Sequence, residues 1–386
     1  MSRKLNYGMV GGSLDAFIGD VHRKAIAVNE NAQLVAGCFS SNPDKNNICG
    51  EHYQLAADRI YKNYQEMAEK ESSREDGIDF VCITTPNNTH YEMAKCFLEK
   101  GIHVSCEKPL CFTIEEAKEL EQLAKEKGLL FCVTYTYTGY NMVKLARELV
   151  LAGEIGEIIN INCEYLQDWM INTLEEGATA NTKIAVWRAD PAKSGISDCV
   201  GDIGTHIESM VSYITGLHVK KVAAVLDTYG HELDLNANIL VEMDNGCHGV
   251  FSCSQVCAGH ANGFVVKIFG KNGSLEWHQE APDQLLVKKK NQPVQIYNRG
   301  YSYIGGRADE LNRIPCGHPE GLTVAFANIY QAFTNAIIKT KNGEELTDSD
   351  RDFPGIEYGV RGMEFVTATV ASSKNGSVWT EVSFTS

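Results

Sequence analysis

Two widely separated segments hold residue types that exchange protons. Glu107-Lys108-Pro109 ends an apolar run, and Gly201–His206 contains Asp202 and His206. An ammonium, an imidazole and a carboxylate are groups that general acid–base catalysis uses. Charges at the end of a buried strand are costly unless they are paired or catalytic, which favours a catalytic Lys108 over a lysine in a surface loop.

The spacing within the second segment predicts a shared helix face. Asp202 and His206 are four residues apart, and helical spacing continues over His206–Ile214. Both side chains are therefore expected in one cleft. At a helix N-terminus the dipole disfavours an imidazolium and favours a developing alkoxide. A purely structural Asp–His pair is the alternative, but the flanking Gly201 and Gly204 permit close approach of a ligand.

A glycine turn near the N-terminus predicts dinucleotide binding. The strand pattern Leu5–Val10 runs into Gly11-Gly12, and Gly19 lies in the predicted helix Ile18–Asn29. In a Rossmann domain such glycines make the tight turn, admit the pyrophosphate and let helix and strand pack closely. Ser13 takes the place of the second glycine of G-x-G-x-x-G, and residues 14–17 lengthen the turn. The predicted cofactor contacts in this turn are Gly11, Gly12, Ser13, Phe17, Ile18 and Gly19.

The residues after the second strand bear on the choice between NAD and NADP. An Asp or Glu there favours NAD, because its charge repels a 2′-phosphate. The strand pattern Gln33–Phe39 is instead followed by Ser40 and Ser41, with no carboxylate before Asp44. We therefore expect NAD or NADP with a slight preference for NADP. A solvent-facing turn that tolerates either cofactor is the alternative.

The next two strands end in further candidate contacts. Ligands bind outside the carboxyl ends of strands in open α/β sheets. Thr85, Pro86, Asn87 and His90 follow the third strand and are predicted cofactor contacts. Pro86 and Asn87 could line the nicotinamide ribose, although a helix N-cap loop built from Asn88 and Thr89 is equally natural. Glu107 and Lys108 end the fourth strand and complete the predicted contacts at this edge.

The element pattern predicts an α/β domain followed by an α+β domain. Up to residue 140, strands alternate with helices of about a dozen residues, which implies a doubly wound parallel Rossmann sheet covered on both faces. Residues 141–386 instead show a succession of strands separated by Gly/Asn turns, typical of a large, mostly antiparallel open sheet. The predicted domains are 1–140 for dinucleotide binding and 141–386 for substrate binding and oligomerisation. Two late helices, Glu320–Lys339 and Ile356–Ser373, follow a long loop, Asn298–Gly317, of the kind that often forms a lid or contacts substrate.

Composition excludes several classes of function. A net charge of −15 disfavours nucleic acid as a partner. No apolar run approaches the length of a membrane span, and the N-terminus shows no signal-peptide pattern. The 13 cysteines fall mostly in apolar strand patterns, as free thiols do in a reducing compartment. Cys253 and Cys257 lack a second ligand pair, so we expect a cytoplasmic protein without a metal site.

Taken together, four motifs in order resemble the glucose–fructose oxidoreductase/inositol dehydrogenase (Gfo/Idh/MocA) family. They are the glycine turn with Ile18-Gly19-x-x-His22, then Glu107-Lys108-Pro109, Trp187-Arg188 and Gly201-Asp202-x-Gly204-x-His206. The resemblance spans nearly the whole chain. It implies that Lys108, Asp202 and His206 are the catalytic group, that Trp187 and Arg188 approach the cofactor, and that the open sheet mediates homodimers or homotetramers.

The mechanism implied by the resemblance is hydride transfer between a nicotinamide and a hydroxyl-bearing carbon. His206 would accept the hydroxyl proton, Lys108 would hydrogen-bond the same oxygen, and Asp202 would fix a neighbouring hydroxyl or the imidazole. Which of Lys108 and His206 carries the proton stays open. The substrate expected is a sugar, inositol or related polyol, and the candidate contacts are Tyr135, Tyr137, Tyr140, Asp168, Trp169 and His318.

Two alternatives keep the nucleotide but change its use. An enzyme could hold NAD(P) tightly and oxidise transiently during glycoside cleavage or epimerisation. A nonenzymatic regulator would only bind NAD(P), and for such a protein the proton-transfer groups would be superfluous. Accumulation of the reduced nicotinamide during turnover distinguishes a dehydrogenase from both.

Overall fold

The computed structural model describes residues 4–176 and 190–382, which divide into two compact units. The first unit contains the chain up to Gly139 together with Leu322–Val360. The second contains Tyr140–Gly321 together with the chain from Arg361 onward. The sequence predicted a single boundary near residue 140, so the return of Leu322–Val360 to the first unit is a difference from that division.

The first unit is built on a five-stranded parallel sheet, as predicted. Its strand order is β2-β1-β3-β4-β5, and every neighbouring pair is parallel. The order reverses at β1, so the carboxyl ends of β1 and β3 lie at the topological switch point where such sheets bind ligands. The strands are β1 (Leu5–Gly11), β2 (Ala32–Cys38), β3 (Phe80–Thr84), β4 (His103–Cys106) and β5 (Phe131–Val133).

Helices connect these strands, and their termini follow ordinary capping chemistry. In the last of them, the Thr113 hydroxyl and the Glu116 carboxylate form a reciprocal capping box, and Gly128 ends the helix with a φ of 64°. The helices are α1 (Phe17–Val28), α2 (Pro43–His52), α3 (Tyr64–Ser72), α4 (His90–Glu99) and α5 (Ile114–Lys127), with single 3₁₀ turns at Ala57–Arg59, Asn87–Thr89 and Thr136–Gly139.

The second unit is built on a nine-stranded sheet, again as predicted. Its order is β13-β12-β11-β10-β6-β9-β8-β7-β14, and the pair β6–β9 is parallel while the others are antiparallel. The strands are β6 (Ile158–Leu166), β7 (Val219–Asp227), β8 (Asn236–Met243), β9 (His248–Ser254), β10 (Gly263–Gly270), β11 (Gly273–His278), β12 (Gln284–Lys289), β13 (Gln295–Asn298) and β14 (Thr380–Glu381).

One helix of the second unit is completely buried. All eleven residues of Thr205–Thr215 are buried, and a π-helical turn over Val200–Gly204 leads into this helix. The described helices up to residue 321 are α6 (Asn141–Leu151), α7 (Thr173–Glu176), α8 (Pro191–Ser194), α9 (Thr205–Thr215) and α10 (Gly306–Glu310).

Two long helices close the chain, α11 (Leu322–Lys341) and α12 (Ile356–Lys374), with a 3₁₀ turn at Asp348–Arg351 between them. In α11, Phe326, Tyr330 and Phe333 join the core of the first unit. The Phe333 ring meets the Phe80 ring edge-on with centroids 5.5 Å apart. This aromatic contact explains why α11 belongs with the parallel sheet, although it follows the second unit in sequence.

The long loop Asn298–Gly317 is anchored by a buried ion triad. The Arg299 guanidinium is 3.0 Å from Asp283 Oδ1 and 3.0 Å from Glu320 Oε1, and it also bonds the Ile314 carbonyl. Because Arg299 and Glu320 are both buried, these contacts hold the two ends of the loop in place.

Within residues 4–176 and 190–382, the helices lack the length and apolar character that crossing a bilayer requires. The same residues contain no group of three His, Cys, Asp or Glu side chains placed to hold a metal ion.

Candidate functional site

The glycine turn has the geometry that a bound dinucleotide needs. Gly11 and Gly12 have φ values of 82° and 69°, which side chains rarely adopt. A Cβ on Gly19 would lie 2.3 Å from the Cα of Gly12, so the turn and helix α1 touch at a point where only glycines fit. A Cβ on Gly11 would lie 2.8 Å from the Thr84 carbonyl oxygen. The glycines therefore perform the turn-forming and close-packing roles expected of the Rossmann motif.

The N-terminus of α1 leaves its amides available for phosphate. The N-cap residue, Ala16, makes no side-chain hydrogen bond to the first turn. The Ser13 hydroxyl, which the sequence placed among the phosphate contacts, donates to Asp15 Oδ1 at 2.8 Å. Asp15 also pairs with Lys45, whose hydrogen bond lowers the pKa of Asp15 to about 2. Phe17 is 71% exposed at the start of the helix. The cradle of amides and glycines fits a dinucleotide pyrophosphate.

The turn after β2 carries hydroxyls and no carboxylate. Ser40 Oγ accepts from the Asn42 amide at 3.2 Å, and Ser41 is exposed. Asn42 caps α2 by accepting from the Lys45 amide at 3.0 Å. The charge that would repel a 2′-phosphate is therefore missing from this turn of the described chain.

His90 braces the edge of the sheet. Its ring is fully buried, with Nδ1 2.8 Å from the Pro109 carbonyl and Nε2 2.9 Å from the Thr85 carbonyl. Burial lowers the pKa of His90. Since both nitrogens contact main-chain oxygens, His90 links the loop after β3 to the loop after β4. Any influence on a cofactor would pass through those loops.

The predicted N-cap at the start of α4 takes a different form. Thr89 occupies the cap position, but its hydroxyl makes no cap hydrogen bond to the helix. It donates instead to the Pro86 carbonyl at 2.8 Å and lies 2.7 Å from Thr85 Oγ1. These bonds fix the Thr85–Asn87 loop at the end of β3.

Glu107 belongs to a buried ion pair that the sequence did not reveal. Its Oε1 lies 2.8 Å from His22 Nε2 and accepts from Thr134 Oγ1 at 2.6 Å. Burial alone would raise the pKa of Glu107, but the hydrogen bond and charge of His22, with the charge of Lys108, lower it to about 2. Burial likewise disfavours a charged His22, whereas the Cys82 sulfur and Glu107 raise its pKa to about 10.

The pair is continued by a residue from the far end of the chain. His22 Nδ1 lies 2.6 Å from the hydroxyl of Tyr330, on α11. That hydroxyl is also 3.0 Å from Ser105 Oγ and 3.2 Å from Cys82 Sγ. The network thus connects α1, β3, β4 and α11, and its member Glu107 directly precedes Lys108, which is half-buried in a cis Lys108–Pro109 peptide.

The second unit holds Asp202 and His206 around the π-helical turn. The sequence predicted an α-helical i, i+4 pair, but α-helix begins only at Thr205. Single π-helical turns inside helices occur frequently at functional sites. Asp202 Oδ2 accepts from Gln255 Nε2 at 3.3 Å, and His206 is 8% exposed with its ring 6.2 Å from that of Tyr165.

Asp234 fixes the start of this turn. Its carboxylate accepts from the amides of Asp198 at 3.1 Å and Val200 at 2.9 Å. Burial raises the pKa of Asp234. Sequence reasoning missed Asp234 and Gln255, because neither is near Asp202 in the chain and neither lies in a motif.

The predicted substrate contacts are dispersed. Tyr135 and Tyr137 are buried in the first unit, and Tyr140 packs its ring 5.4 Å from that of Trp277 in the second. Asp168 accepts from the Gly259 amide at 2.9 Å, and Trp169 donates to Gln167. His318 is exposed beside the loop anchored by Arg299. Trp187 and Arg188 lie outside the described residues.

Known proteins resemble both halves of the chain. Residues 5–135 match the model of the oxidoreductase family with an NAD-binding Rossmann fold, and residues 143–276 match the GFO/IDH/MocA C-terminal domain. An uncharacterized oxidoreductase of Bacillus subtilis, YfiI, is 35% identical over 387 residues, which cover 99% of this chain and 98% of that protein. Levoglucosan dehydrogenase of Pseudarthrobacter phenanthrenivorans is 29% identical over 74% of this chain and 76% of its own.

Solved structures with the same fold support this family assignment. An inositol dehydrogenase homolog of Azotobacter vinelandii, complexed with NAD⁺, superposes with a TM-score of 0.92 at 33% identity, covering 99% of this chain and 98% of that one. Its complex with NADH and myo-inositol gives a TM-score of 0.90 at the same identity and coverage. With the glycine cradle, the parallel sheet and both domain models in agreement, the chain belongs to the Gfo/Idh/MocA family of NAD-binding oxidoreductases.

Proposed function

We propose that the protein oxidises a hydroxyl-bearing carbon of an uncharged polyol, with inositol or a related sugar as the substrate class. Two observations support this substrate class. A relative at 33% identity was crystallised with myo-inositol, and another relative at 29% is a levoglucosan dehydrogenase. The observation that carries the proposal is the joint presence of Lys108, Asp202 and His206 with a glycine cradle that fits a dinucleotide.

In this mechanism a nicotinamide dinucleotide held by the turn of Gly11, Gly12 and Gly19 would supply the acceptor for the hydride that leaves the substrate carbon. His206, at the second position of α9, takes up the hydroxyl proton. Lys108 donates a hydrogen bond to the same oxygen and stabilises its alkoxide character. Asp202, oriented by Gln255, binds a neighbouring hydroxyl or the imidazole. The Glu107–His22 pair holds the chain that carries Lys108.

Cofactor choice follows from the turn after β2. The Azotobacter homolog binds NAD⁺ and NADH, whereas Ser40 and Ser41 here leave room for a 2′-phosphate without a repelling carboxylate. We therefore expect both cofactors to be accepted, with a slight preference for NADP. Comparing kcat/KM for the two cofactors at a saturating polyol concentration tests this expectation.

The open sheet supports self-association as a homodimer or homotetramer. Leu240 and Val250 lie opposite each other in the register of β8 and β9, and both are exposed, as is Val225 on the neighbouring strand. Apolar side chains grouped on one face of an open sheet favour an interface. For localisation we propose the cytoplasm, because buried free thiols such as Cys82, Cys132 and Cys253 are typical of a reducing compartment.

Absorbance of the reduced nicotinamide, followed across a panel of polyols with each cofactor, tests the dehydrogenase directly. We expect the reduced cofactor to accumulate in proportion to the polyol consumed. Consumption of a glycoside or epimerisation without accumulation would favour the transient-oxidation alternative. Cofactor binding without any turnover would favour the nonenzymatic regulator.

A further inference from the structure

Three connections leave the nine-stranded sheet together at the end that carries Tyr165. In the register, Leu166 at the end of β6 pairs with Ser254 at the end of β9 and with Gly263 at the start of β10. Gln167 directly follows β6, Gln255 directly follows β9 and Asn262 directly precedes β10, so all three lie where these strands end. We call this end of the sheet the edge. Gln255 bonds Asp202, and the Tyr165 ring lies 6.2 Å from that of His206, so this edge adjoins the proposed catalytic groups.

A chain of side-chain hydrogen bonds at this edge has a fixed direction. Trp169 Nε1, which can only donate, bonds Gln167 Oε1 at 3.0 Å. The other end of that carboxamide must then be the donor, and Gln167 Nε2 bonds Asn262 Oδ1 at 2.8 Å. The Tyr165 hydroxyl donates to the same oxygen at 2.7 Å. Since the indole has no acceptor, neither carboxamide can be reversed without losing a bond.

The consequence falls on the amide nitrogen of Asn262. Its carboxamide oxygen is occupied by two donors, and Nδ2 donates to no other described residue. Asn262 is partly accessible, and its main chain is held by the bond from its amide to Glu280 Oε1 at 3.0 Å. The edge therefore presents the two uncharged N–H donors of one oriented carboxamide. Such a pair suits an oxygen of a neutral polyhydroxylated ring.

We propose that Asn262 is a specificity-determining residue that donates a hydrogen bond to one oxygen of the polyol, and that Trp169 and Gln167 set its orientation. The inference rests on the proposed function, because it assumes that the ligand of this edge is the polyol oxidised at His206. The fixed direction of the hydrogen-bond chain distinguishes this site from a general polar surface. Removing the indole N–H of Trp169 should weaken polyol binding only while the Asn262 carboxamide is present.

Calorimetric titration of the whole enzyme with myo-inositol and its monodeoxy analogues, in the presence of NADH, tests the assignment. For the wild type, we expect one monodeoxy analogue to bind about 5- to 30-fold more weakly than myo-inositol, as loss of one hydrogen bond predicts. Asn262→Ala should bind myo-inositol more weakly than the wild type does, by a similar factor. The variant should bind myo-inositol and that analogue equally well. Trp169→Phe made alone should weaken myo-inositol binding. Added to Asn262→Ala, it should cause no further loss of affinity.

Matched controls separate these effects from general damage. Asn375→Ala and Trp379→Phe alter exposed residues of the same types and should leave every affinity unchanged. NADH affinity should be equal in all variants. If the wild type oxidises polyols but Asn262→Ala keeps the same discrimination among the analogues, the inference fails and the dehydrogenase stands. If the wild type neither binds nor oxidises any polyol, both fail together.

Discussion

Lys108 is the residue whose removal should reduce turnover most selectively. It lies two residues after the end of β4, at the ligand-binding edge of the sheet, and we place it on the substrate oxygen. Lys108→Ala should lower kcat by about 10²–10⁴-fold, the usual contribution of a positioned proton-transfer group. NADH affinity, measured by fluorescence titration, should stay nearly constant. Lys127→Ala, which removes an exposed lysine from α5, is the control. Unchanged turnover in Lys108→Ala would remove this lysine from the mechanism.

The buried Glu107–His22 pair makes a prediction about stability and pH. Removing one partner of a buried ion pair costs about 3–5 kcal/mol, so Glu107→Gln should lower the free energy of unfolding by that order. The pKa of His22 is raised to about 10 in the folded protein. Its contribution to the free energy of unfolding is therefore complete below the pKa of histidine in the unfolded chain, and it is lost as the pH rises through 10. The pKa of Glu107 is lowered to about 2, so its contribution is lost only as pH falls toward 2.

Urea unfolding at pH 6 and pH 10 checks the sign of this effect. The difference between the wild type and Glu107→Gln should be larger at the lower pH. A difference that grows toward pH 10 would contradict a charged His22. Glu119→Gln, on the exposed face of α5, should show little difference at either pH, because surface pairs contribute little.

At the scale of elements, the contact between the glycine turn and α1 is open to a direct test. A Cβ on Gly19 would lie 2.3 Å from Gly12 Cα, which is backbone and cannot rotate away. Gly19→Ala should therefore destabilise the first unit by about 1–3 kcal/mol and weaken cofactor binding about tenfold or more. Thermal unfolding with and without NADH measures both. Gly321→Ala is the control, since a Cβ there meets nothing within 4 Å. Equal unfolding temperatures for the two variants, both with and without NADH, would contradict the close-packing role of Gly19.

The ion triad that anchors the long loop should matter far more than a surface pair. Arg299 is buried with Glu320, so Arg299→Ala would leave an uncompensated carboxylate and cost about 3–5 kcal/mol. Lys271→Ala breaks the exposed pair with Glu157 and should cost at most about 1 kcal/mol. Denaturant unfolding compares the two variants. A similar, small loss in both would show that the loop is held by other contacts.

Elements with a strong period or clear caps could be predicted from sequence, and others could not. The five parallel strands and α1, α4 and α5 follow from apolar runs, alternation and terminal glycines. Helix α2 was missed because its buried residues, Asn46, Cys49 and Gly50, form no apolar stripe. Strands β13 and β14 lie at the two ends of the large sheet and are short, so their pattern is weak.

The site divides in the same way. Lys108 was predicted from its place after a buried strand, and Asp202 and His206 from their residue types, their spacing of four and the glycines beside them. Other contacts join residues that are far apart in sequence, which no local pattern encodes: Gln255 with Asp202, Tyr330 with His22, and Asn262 with Gln167. The π-helical turn at Val200–Gly204 was likewise invisible, since its residues also suit an ordinary helix start.

At the scale of the whole molecule, the exposed face of the nine-stranded sheet predicts the assembly state. Leu240 is 50% exposed opposite Val250, and a charge there would oppose burial against a second copy. Leu240→Glu should shift light-scattering mass toward the monomer, while Leu151→Glu, an exposed position at the end of α6, should not. A wild type that is monomeric at micromolar concentration would contradict the assembly.

The central claim is that Lys108 and His206 act on the same substrate oxygen. A double-mutant cycle in kcat/KM for polyol oxidation, using Lys108→Ala and His206→Ala singly and together, measures this most directly. Groups that act as a unit are strongly non-additive, so we expect the double variant to lose little more than the worse single variant. If the loss of kcat/KM in the double variant equals the product of the two single losses, the residues act independently. That result would contradict a shared action on one substrate oxygen.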